Sequence, residues 1–253
     1  MKEENIKKAI KAGYAKIARN GSCCCTSVSD CCGQTDTASQ ISLNIGYSDK
    51  DLKNVPEGAN LGLGCGNPTA LASLKSGETV LDLGSGAGFD CFLAANKVGN
   101  KGKVIGVDMT PEMIDKAREN AEKNNITNVE FRLGEIENLS VDDSTIDVVI
   151  SNCVINLAPD KDMVFKEAYR VLKPGGRLMV SDIVLNKQLP ESIKNNISAY
   201  VSCISGAILK KDYLETVRKA GFTNIQIMDE AAYQVNYISN DSAAIVKKSR
   251  SLT

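Results

Sequence analysis

The sequence predicts an α/β protein built on a doubly wound parallel sheet, and three observations support this prediction. From residue 78 onward, short apolar segments with strand character alternate with segments whose apolar residues recur at helical intervals. The first strand-like segment, residues 79–83, runs into the glycine-rich sequence Gly84-Ser-Gly-Ala-Gly88, and a helical pattern follows at once. A second strand-like segment, residues 103–108, ends in the carboxylate of Asp108. A strand, a tight turn and a helix in this order are typical of the first unit of a doubly wound fold.

The remaining elements follow from the same patterns in chain order. Apolar residues at helical intervals predict an amphipathic helix at 4–18, and the Gly-, Ser-, Thr- and Cys-rich residues 20–40 predict a loop. We expect strands at 79–83, 103–108, 128–133, 147–152 and 177–184, and helices at 89–97, 111–124 and 161–172. Beyond Pro190, helical patterns around 193–204 and 213–220 precede strand-like segments at 224–228 and 242–247, the last of which we expect to close the sheet.

Composition narrows the class of protein. The 253 residues are 43% hydrophobic and 24% charged, which is ordinary for a globular protein, and the net charge of −1 gives no reason to expect nucleic acid as a partner. No apolar segment approaches the ~20 residues of a membrane-spanning helix, so we expect no membrane association. The first residues lack the layout of a secretory signal, which predicts a cytoplasmic protein, and no apolar surface pattern argues against a monomer.

Two residue counts are unusual. The sequence contains no histidine, which removes the commonest general base at neutral pH and the commonest transition-metal ligand. It contains nine cysteines. In a cytosolic chain, cysteines in this number are more often ligands, catalytic groups or small buried apolar residues than structural disulfides.

The glycine-rich turn predicts a ligand site. Glycine permits the positive φ of a tight turn and lets the backbone approach a ligand closely. The helix behind the turn presents unpaired N–H groups. Asp108 follows Gly88 by twenty positions and ends the second strand, which is the usual place of a carboxylate that holds ribose hydroxyls. These features predict a cofactor that contains a nucleoside.

The turn resembles the first motif of the S-adenosylmethionine-dependent methyltransferases, because Asp82 precedes a G-S-G-A-G sequence. The Lys173-Pro-Gly-Gly176 turn before a strand resembles another landmark of the same proteins. This resemblance implies S-adenosyl-L-methionine as cofactor, with Met109 against the adenine and Glu135 or Glu137 as acceptor for its exocyclic amine. The expected cofactor residues are Asp82, Gly84, Ser85, Gly86, Gly88, Asp108, Met109, Gly134, Glu135, Ile136 and Asn152.

Three cysteines fall where a substrate pocket would form beside this cofactor. Cys65 lies in a glycine-rich segment before the first core strand, Cys153 follows the fourth strand, and Cys203 lies in a helical segment after the core. They are 88 and 50 positions apart, which is unlike the paired spacing of a zinc site. Taken singly, each is more often a small buried apolar residue than a ligand.

The segments around these cysteines, Asn60-Leu-Gly-Leu-Gly-Cys-Gly-Asn-Pro68, Ser151-Asn-Cys-Val-Ile-Asn-Leu157 and Val201-Ser-Cys-Ile-Ser-Gly-Ala207, resemble three signatures of the arsenite methyltransferases. The resemblance covers nearly the whole chain. It implies a Rossmann-like class I methyltransferase fold in which Cys65, Cys153 and Cys203 bind trivalent arsenic as thiolates. It also implies three regions: an N-terminal helix, cysteine-rich loop and substrate-covering segment at 1–70, a cofactor-binding core at 71–185, and a C-terminal region at 186–253 that completes the sheet and the arsenic site.

Arsenic chemistry is compatible with these residues. Thiolates are soft ligands that suit a thiophilic centre. The lone pair of trivalent arsenic can attack a methyl carbon without removal of a proton, so a chain without histidine can support the reaction. Each methylation formally oxidises arsenic, and thiols must then return two electrons, with thioredoxin or glutathione as the expected reductant. The cysteines that could supply these electrons are Cys23, Cys24, Cys25, Cys31 and Cys32, and Cys32 is the one we expect among the catalytic residues. The loop is also compatible with an incidental thiol cluster.

Several alternatives remain open from the sequence. Leu63 stands where some relatives carry an aromatic residue, so the number of methyl groups added is open, as is the preference among arsenite, methylarsenite and antimonite. Cys91 lies within a core helix, where we expect a structural role. The chain could instead methylate a small organic acceptor such as a quinone, although this would leave the three cysteines without a function. A thiol-rich protein that binds arsenite without chemistry is the third possibility.

Overall fold

The computed structural model describes residues 3–20, 37–194 and 196–230. Its centre is a parallel sheet of five strands in the order β3-β2-β1-β4-β5. The strands are β1 (Thr79–Leu83), β2 (Lys103–Asp108), β3 (Val129–Leu133), β4 (Ile146–Asn152) and β5 (Leu172–Ser181). The predicted α/β fold with a doubly wound sheet is therefore confirmed.

Helices flank the sheet, and four of the described helices precede its first strand in the chain. The helices are α1 (Glu3–Asn20), α2 (Thr37–Asn44), α3 (Asp49–Lys53), α4 (Pro68–Leu71), α5 (Phe89–Val98), α6 (Pro111–Lys123), α7 (Lys161–Val171), α8 (Glu191–Lys194), α9 (Ile197–Val201) and α10 (Lys210–Lys219), with a short 3-10 helix at Ile155–Leu157. Within the described residues, none of these helices is long and apolar enough to cross a membrane.

Two layers of helices cover the two faces of the sheet. Side chains alternate along a strand, so Val80 belongs to one core cluster while Leu81 and Leu83 belong to the other. The first cluster packs under α5 and α6, and the second packs under α7 and α10. Strands buried on both faces explain why the sequence reads as nearly continuous apolar segments from residue 79 onward.

The fifth strand begins earlier than the predicted residue 177. Ile146 of β4 pairs with Leu172, and Val148 pairs with Arg177, so the intervening Lys-Pro-Gly-Gly residues bulge out of the ladder. Gly175 has a φ of 78°, which glycine adopts without strain. The predicted Lys-Pro-Gly-Gly turn is present, but the strand begins before it because Leu172 already pairs with Ile146 of β4.

Two other predicted elements were wrong. The loop expected over residues 20–40 gives way to α2 at Thr37, which the polar Thr-Ala-Ser-Gln start of that helix concealed. Residues 224–228 contain no regular strand. Ile225 packs against the core without backbone pairing, which accounts for its apolar character. Residues 242–247, expected to close the sheet, lie outside the described residues.

Candidate functional site

A cleft opens at the carboxyl ends of β1, β2 and β4. At this point β1 pairs with β2 on one side and β4 on the other, so the connections run in opposite directions, and doubly wound proteins bind ligands at this place. The cleft is lined by nine of the eleven residues expected from the sequence to contact cofactor: Asp82, Gly84, Ser85, Gly86, Asp108, Met109, Gly134, Ile136 and Asn152.

The glycine turn contributes a close backbone approach to the cleft. Gly84 has a φ of 71°, and a Cβ there would lie 2.3 Å from Val154 Cγ2. Gly86 has a φ of 52°, yet a Cβ there would meet nothing within 4 Å because it would point into open space. Gly88 caps α5 but does not line the cleft, and it is needed because a Cβ would lie 2.7 Å from Phe92. Each glycine therefore has a different role.

Asp108 is held in a fixed orientation at the end of β2. Its Oδ2 accepts a hydrogen bond from the Gly86 N–H at 3.0 Å, and its Oδ1 accepts one from the Thr110 N–H at 2.8 Å. Burial raises the pKa of this carboxyl, although both N–H groups act in the opposite direction. The side chain therefore ties the glycine turn to the second strand and presents a pre-oriented acceptor to the cleft.

Two further carboxyls lie buried at the floor of the cleft. Burial and the charge of Asp90 raise the pKa of Asp82 well above its usual value, and Asp82 accepts a hydrogen bond from the Cys91 thiol at 3.2 Å. Burial raises the pKa of Asp90 to about 6. Two mutually repelling acids in one cleft favour a ligand that carries positive charge.

Sequence reasoning missed Asp90 and its partner Tyr47 as functional candidates. The Tyr47 hydroxyl donates to Asp90 Oδ1 at 2.7 Å, and both residues line the cleft. One signal was available, because Asp90 is an acid in a helix whose residues are otherwise almost all buried and apolar. Tyr47 carried no signal, since it lies 43 positions away in an irregular segment.

The loop after β3 separates the two glutamates that the sequence left as alternatives. Glu135 does not line the cleft and instead pairs with Lys7 at 2.6 Å and Lys11 at 3.4 Å, both on α1. A hydrogen bond from Lys7 lowers the pKa of Glu135 despite partial burial. Glu137 lines the cleft and pairs with Lys7 at 2.9 Å. Glu137 is therefore the one placed to contact a ligand.

The structure brings together the three cysteines that the sequence singled out. The Cys203 thiol donates to the Cys153 backbone oxygen at 2.8 Å, and the Cys65 thiol donates to the Ser181 backbone oxygen at 3.3 Å. The thiols of Cys65 and Cys203 also lie close enough to the Cys153 thiol to shift its pKa. Cys153 lines the cleft, so the thiol group borders the predicted cofactor site.

Cys153 and Cys203 adopt a backbone conformation that is unusual for residues other than glycine. Cys153 has a φ of 59° and Cys203 a φ of 62°. Such conformations cost free energy and concentrate at functional sites. This observation supports a functional interpretation of both residues over the alternative that they are ordinary buried apolar side chains.

The raised pKa values of Cys153 and Cys203 favour the protonated form of these two thiols. The neighbouring Cys203 thiol lowers the pKa of Cys153, but the neighbouring Cys65 thiol and burial together raise it well above the usual value. The hydrogen bond with Cys153 and burial likewise raise the pKa of Cys203. In the described part of the chain, no three Cys, Asp, Glu or His side chains are already arranged to hold a metal ion. The three thiols are neighbours without forming a closed ligand set.

The remaining cysteines divide into two groups. Cys91 is buried and donates to Asp82, away from the other thiols. Cys32 and the other candidates for electron transfer, Cys23, Cys24, Cys25 and Cys31, lie outside the described residues.

The comparisons with known proteins agree with this geometry. The methyltransferase domain family matches residues 74–221. The arsenite methyltransferase of Halobacterium salinarum is 50% identical over 88% of this chain and 59% of its own length. The arsenite methyltransferase of Homo sapiens is 34% identical over the same shares of the two chains, 88% and 59%. This chain therefore spans about three fifths of the length of these relatives.

A solved structure extends the comparison to three dimensions. The crystal structure of an arsenic(III) S-adenosylmethionine methyltransferase from Chlamydomonas reinhardtii superposes with a TM-score of 0.62. The two chains are 36% identical, and the match covers 81% of this chain and 67% of the other. This chain therefore belongs to the arsenite methyltransferase family, as its methyltransferase domain, its sequence identity to these relatives and its shared fold together show.

Proposed function

We propose that this protein transfers methyl groups from S-adenosylmethionine to trivalent arsenic held by the thiols of Cys65, Cys153 and Cys203. One observation carries the proposal: Cys153 lines the cofactor cleft, its backbone oxygen accepts the Cys203 thiol, and the thiols of Cys65 and Cys203 lie close enough to its own thiol to shift its pKa. The donor and the acceptor of the methyl group would therefore meet at this residue. Membership of the arsenite methyltransferase family supports arsenic as the acceptor.

S-adenosylmethionine fits the residues that line the cleft. The buried carboxyls of Asp82 and Asp90 have raised pKa values, and a positively charged ligand beside them would stabilise their ionised forms. Gly86 leaves space for a ligand to approach the backbone, and the fixed carboxylate of Asp108 suits ribose hydroxyls. When bound, S-adenosylmethionine supplies a methyl carbon on a positively charged sulfur, which departs as a neutral thioether.

Three neighbouring thiols suit arsenous acid as substrate. Each thiol forms a bond from sulfur to arsenic and passes its proton to an arsenic hydroxyl, which leaves as water, so the raised pKa values of Cys153 and Cys203 do not prevent binding. The resulting arsenic has three sulfur ligands and one lone pair. This lone pair forms the new bond to carbon, so no side chain has to act as a base toward the acceptor.

The reaction needs a supply of electrons to continue. Formation of the arsenic–carbon bond oxidises arsenic by two electrons, and two thiols return these electrons when they join as a disulfide. We propose that cysteines of the segment 22–33, Cys32 among them, take part, and that thioredoxin or glutathione reduces the disulfide. Arsenite is the first acceptor in this scheme, and methylarsenite is the acceptor of a second cycle.

A direct assay tests the proposal. Purified protein is incubated with arsenite, S-adenosylmethionine labelled in the methyl group, and a reduced thiol. We expect labelled methylarsenicals from the native protein and from Cys91→Ser, and none from Cys153→Ser. Binding of arsenite without a labelled product would instead indicate a sequestering protein.

The assay also tests the organic-acceptor alternative. A quinone-like acceptor reaction would survive Cys153→Ser, because it has no use for a thiol ligand. Labelled organic product without labelled arsenic would therefore overturn the proposal.

Size-exclusion chromatography with light scattering would test the accompanying proposal that the protein acts as a monomer.

A further inference from the structure

The side chain of Asn152 bonds both ends of its amide to the loop that carries Cys65. Its Oδ1 accepts the Cys65 N–H at 3.0 Å, and its Nδ2 donates to the Gly66 backbone oxygen at 2.9 Å. These bonds join residues 87 and 86 positions apart. A planar amide that pairs with the N–H of one residue and the carbonyl oxygen of the next fixes both the distance and the orientation of the loop.

The loop is shaped to receive this amide. A Cβ on Gly64 would lie 2.6 Å from Asn152 Nδ2 and 3.1 Å from its Cγ, so only glycine allows the approach. Asn152 immediately precedes Cys153 at the end of β4. Because Asn152 and Cys153 are adjacent, the amide sets the position of Cys65 relative to the thiol at the centre of the group.

Two neighbouring residues fix which end of the amide faces the loop N–H. Asn152 Nδ2 also lies 3.0 Å from Asp90 Oδ2 and 2.9 Å from the Tyr47 hydroxyl. The Tyr47 hydroxyl gives its proton to Asp90 at 2.7 Å, so its oxygen is available only as an acceptor toward Asn152. An ionised carboxylate also only accepts. The NH2 group must therefore face these two residues, which leaves Oδ1 for the Cys65 N–H.

We infer that Asn152 is a positioning residue for the arsenic-binding thiols, which acts through the Cys65 loop and not by contact with arsenic. The inference rests on the proposed function, and it assigns to Asn152 a role different from the cofactor contact expected from the sequence. Loss of the amide frees Cys65 but leaves the Cys153–Cys203 contact in place, since that contact involves neither Asn152 nor the loop. Arsenite, which uses three thiols, should suffer more than an aryl arsenical, which uses two.

The test compares Asn152→Leu with Asn128→Leu. Asn128 also donates to two backbone oxygens, those of Ala95 in α5 and of Gly99 directly after it, but does so just before β3, away from the thiols. For the binding measurements the five cysteines at 23–32 are replaced by serine so that only the site thiols report, whereas KM values are measured on proteins that keep these five cysteines. We measure the dissociation constants of arsenite, phenylarsine oxide and S-adenosylhomocysteine, together with thermal stability.

For Asn152→Leu we expect arsenite binding to weaken by ~10-fold or more, since two backbone hydrogen bonds that orient the loop are lost. Phenylarsine oxide binding should change by less than about 3-fold, and the KM for arsenite should rise more than the KM for S-adenosylmethionine. Asn128→Leu should leave all three affinities unchanged. Equal weakening of both arsenicals, or a change confined to S-adenosylhomocysteine, would overturn the inference.

A second readout separates this inference from the proposed function. The rate at which iodoacetamide alkylates Cys65, followed by mass spectrometry, depends on the loop and not on arsenic. Asn152→Leu should raise this rate several-fold, whereas Asn128→Leu should leave it unchanged. An unchanged rate in Asn152→Leu contradicts the inference. If the native protein binds no arsenite but Asn152→Leu still raises the alkylation rate of Cys65, the proposed function alone is contradicted.

Discussion

The Cys203 thiol donates a hydrogen bond to the backbone oxygen of Cys153, with 2.8 Å between sulfur and oxygen. The two residues are 50 positions apart, one at the end of β4 and the other just after α9. Two of the three proposed ligands are therefore neighbours in the absence of arsenic. Arsenic binding must replace this S–H···O bond, because the thiol proton leaves when sulfur bonds to the metalloid.

Cys203→Ser should abolish the proposed reaction while preserving the fold. Serine keeps a donor for the Cys153 oxygen but offers a hard oxygen where arsenic prefers sulfur. We expect kcat/KM for arsenite to fall by about 100-fold or more, since misplacement of a reacting centre is costly. Cys91→Ser, also in the core but bonded to Asp82, is the matched control and should retain activity. Similar losses in both variants would point to a general effect on stability.

The glycines of the first turn should respond differently to alanine. Gly84→Ala should destabilise the protein strongly, because the new Cβ would lie 2.3 Å from Val154. Gly86→Ala meets open space, so its cost is limited to ~1–2 kcal/mol from the positive φ. Its methyl group should nevertheless obstruct the cofactor. Urea unfolding measures the stability of both variants, and calorimetry measures their binding of S-adenosylhomocysteine. Unimpaired binding by a folded Gly86→Ala variant would show that the cofactor binds elsewhere.

Substitution of the two glutamates after β3 should separate their roles. Glu137→Gln should weaken S-adenosylhomocysteine binding by ~10-fold, because Glu137 lines the cleft and a carboxylate accepts more strongly than an amide. Glu135→Gln should change it by less than about 3-fold, since Glu135 is occupied by partly exposed ion pairs to α1. A larger effect of Glu135→Gln would restore the original expectation that this residue contacts the adenine.

Stability should depend on pH through Asp182, which is buried behind the thiols. Burial raises its pKa to about 7, against ~4 in an unfolded chain, so the folded protein holds a proton that the unfolded chain releases. This contribution to stability is complete below pH ~4 and is lost as the pH rises through 7, by an amount on the order of a few kcal/mol.

Asp182→Asn should remove this dependence. The amide oxygen can still accept from Asn156 and the Ile183 N–H, and the Tyr213 hydroxyl can turn to accept from the new NH2 group. The difference in unfolding free energy between native protein and variant, measured by urea titration, should therefore fall between pH 4 and 7 and stay constant above. A difference that is independent of pH would show that Asp182 has an ordinary pKa.

The fold was predictable because its signals are local. The bounds of β1 and β2 match the predicted 79–83 and 103–108. Each strand is an apolar segment whose carboxyl end is marked locally, by a glycine after β1 and by a carboxylate at the end of β2. The start of β5 was not predictable, because pairing of Leu172 depends on β4 and not on its own sequence. Helix α2 was missed for a related reason: its buried Ser42 is held by a hydrogen bond to Asn60, which periodicity does not reveal.

The candidate site likewise contains residues that have a local signal in the sequence and residues that do not. The glycine turn and Asp108 are visible in the sequence, since a contiguous turn and a strand end carry them. The network of Asp90, Tyr47 and Asn152 is not, because it joins three segments only after folding. The three cysteines were found from a resemblance to a family, and their spacing alone would not have selected them.

Arsenic X-ray absorption on the protein with arsenite bound tests the central claim most directly. With the five cysteines at 23–32 replaced by serine, we predict that arsenic has three sulfur neighbours and no oxygen. Each of Cys65→Ser, Cys153→Ser and Cys203→Ser should leave two sulfurs and one oxygen. Three sulfur neighbours that persist in any one of these variants would show that the substituted cysteine does not bind arsenic and would contradict the account.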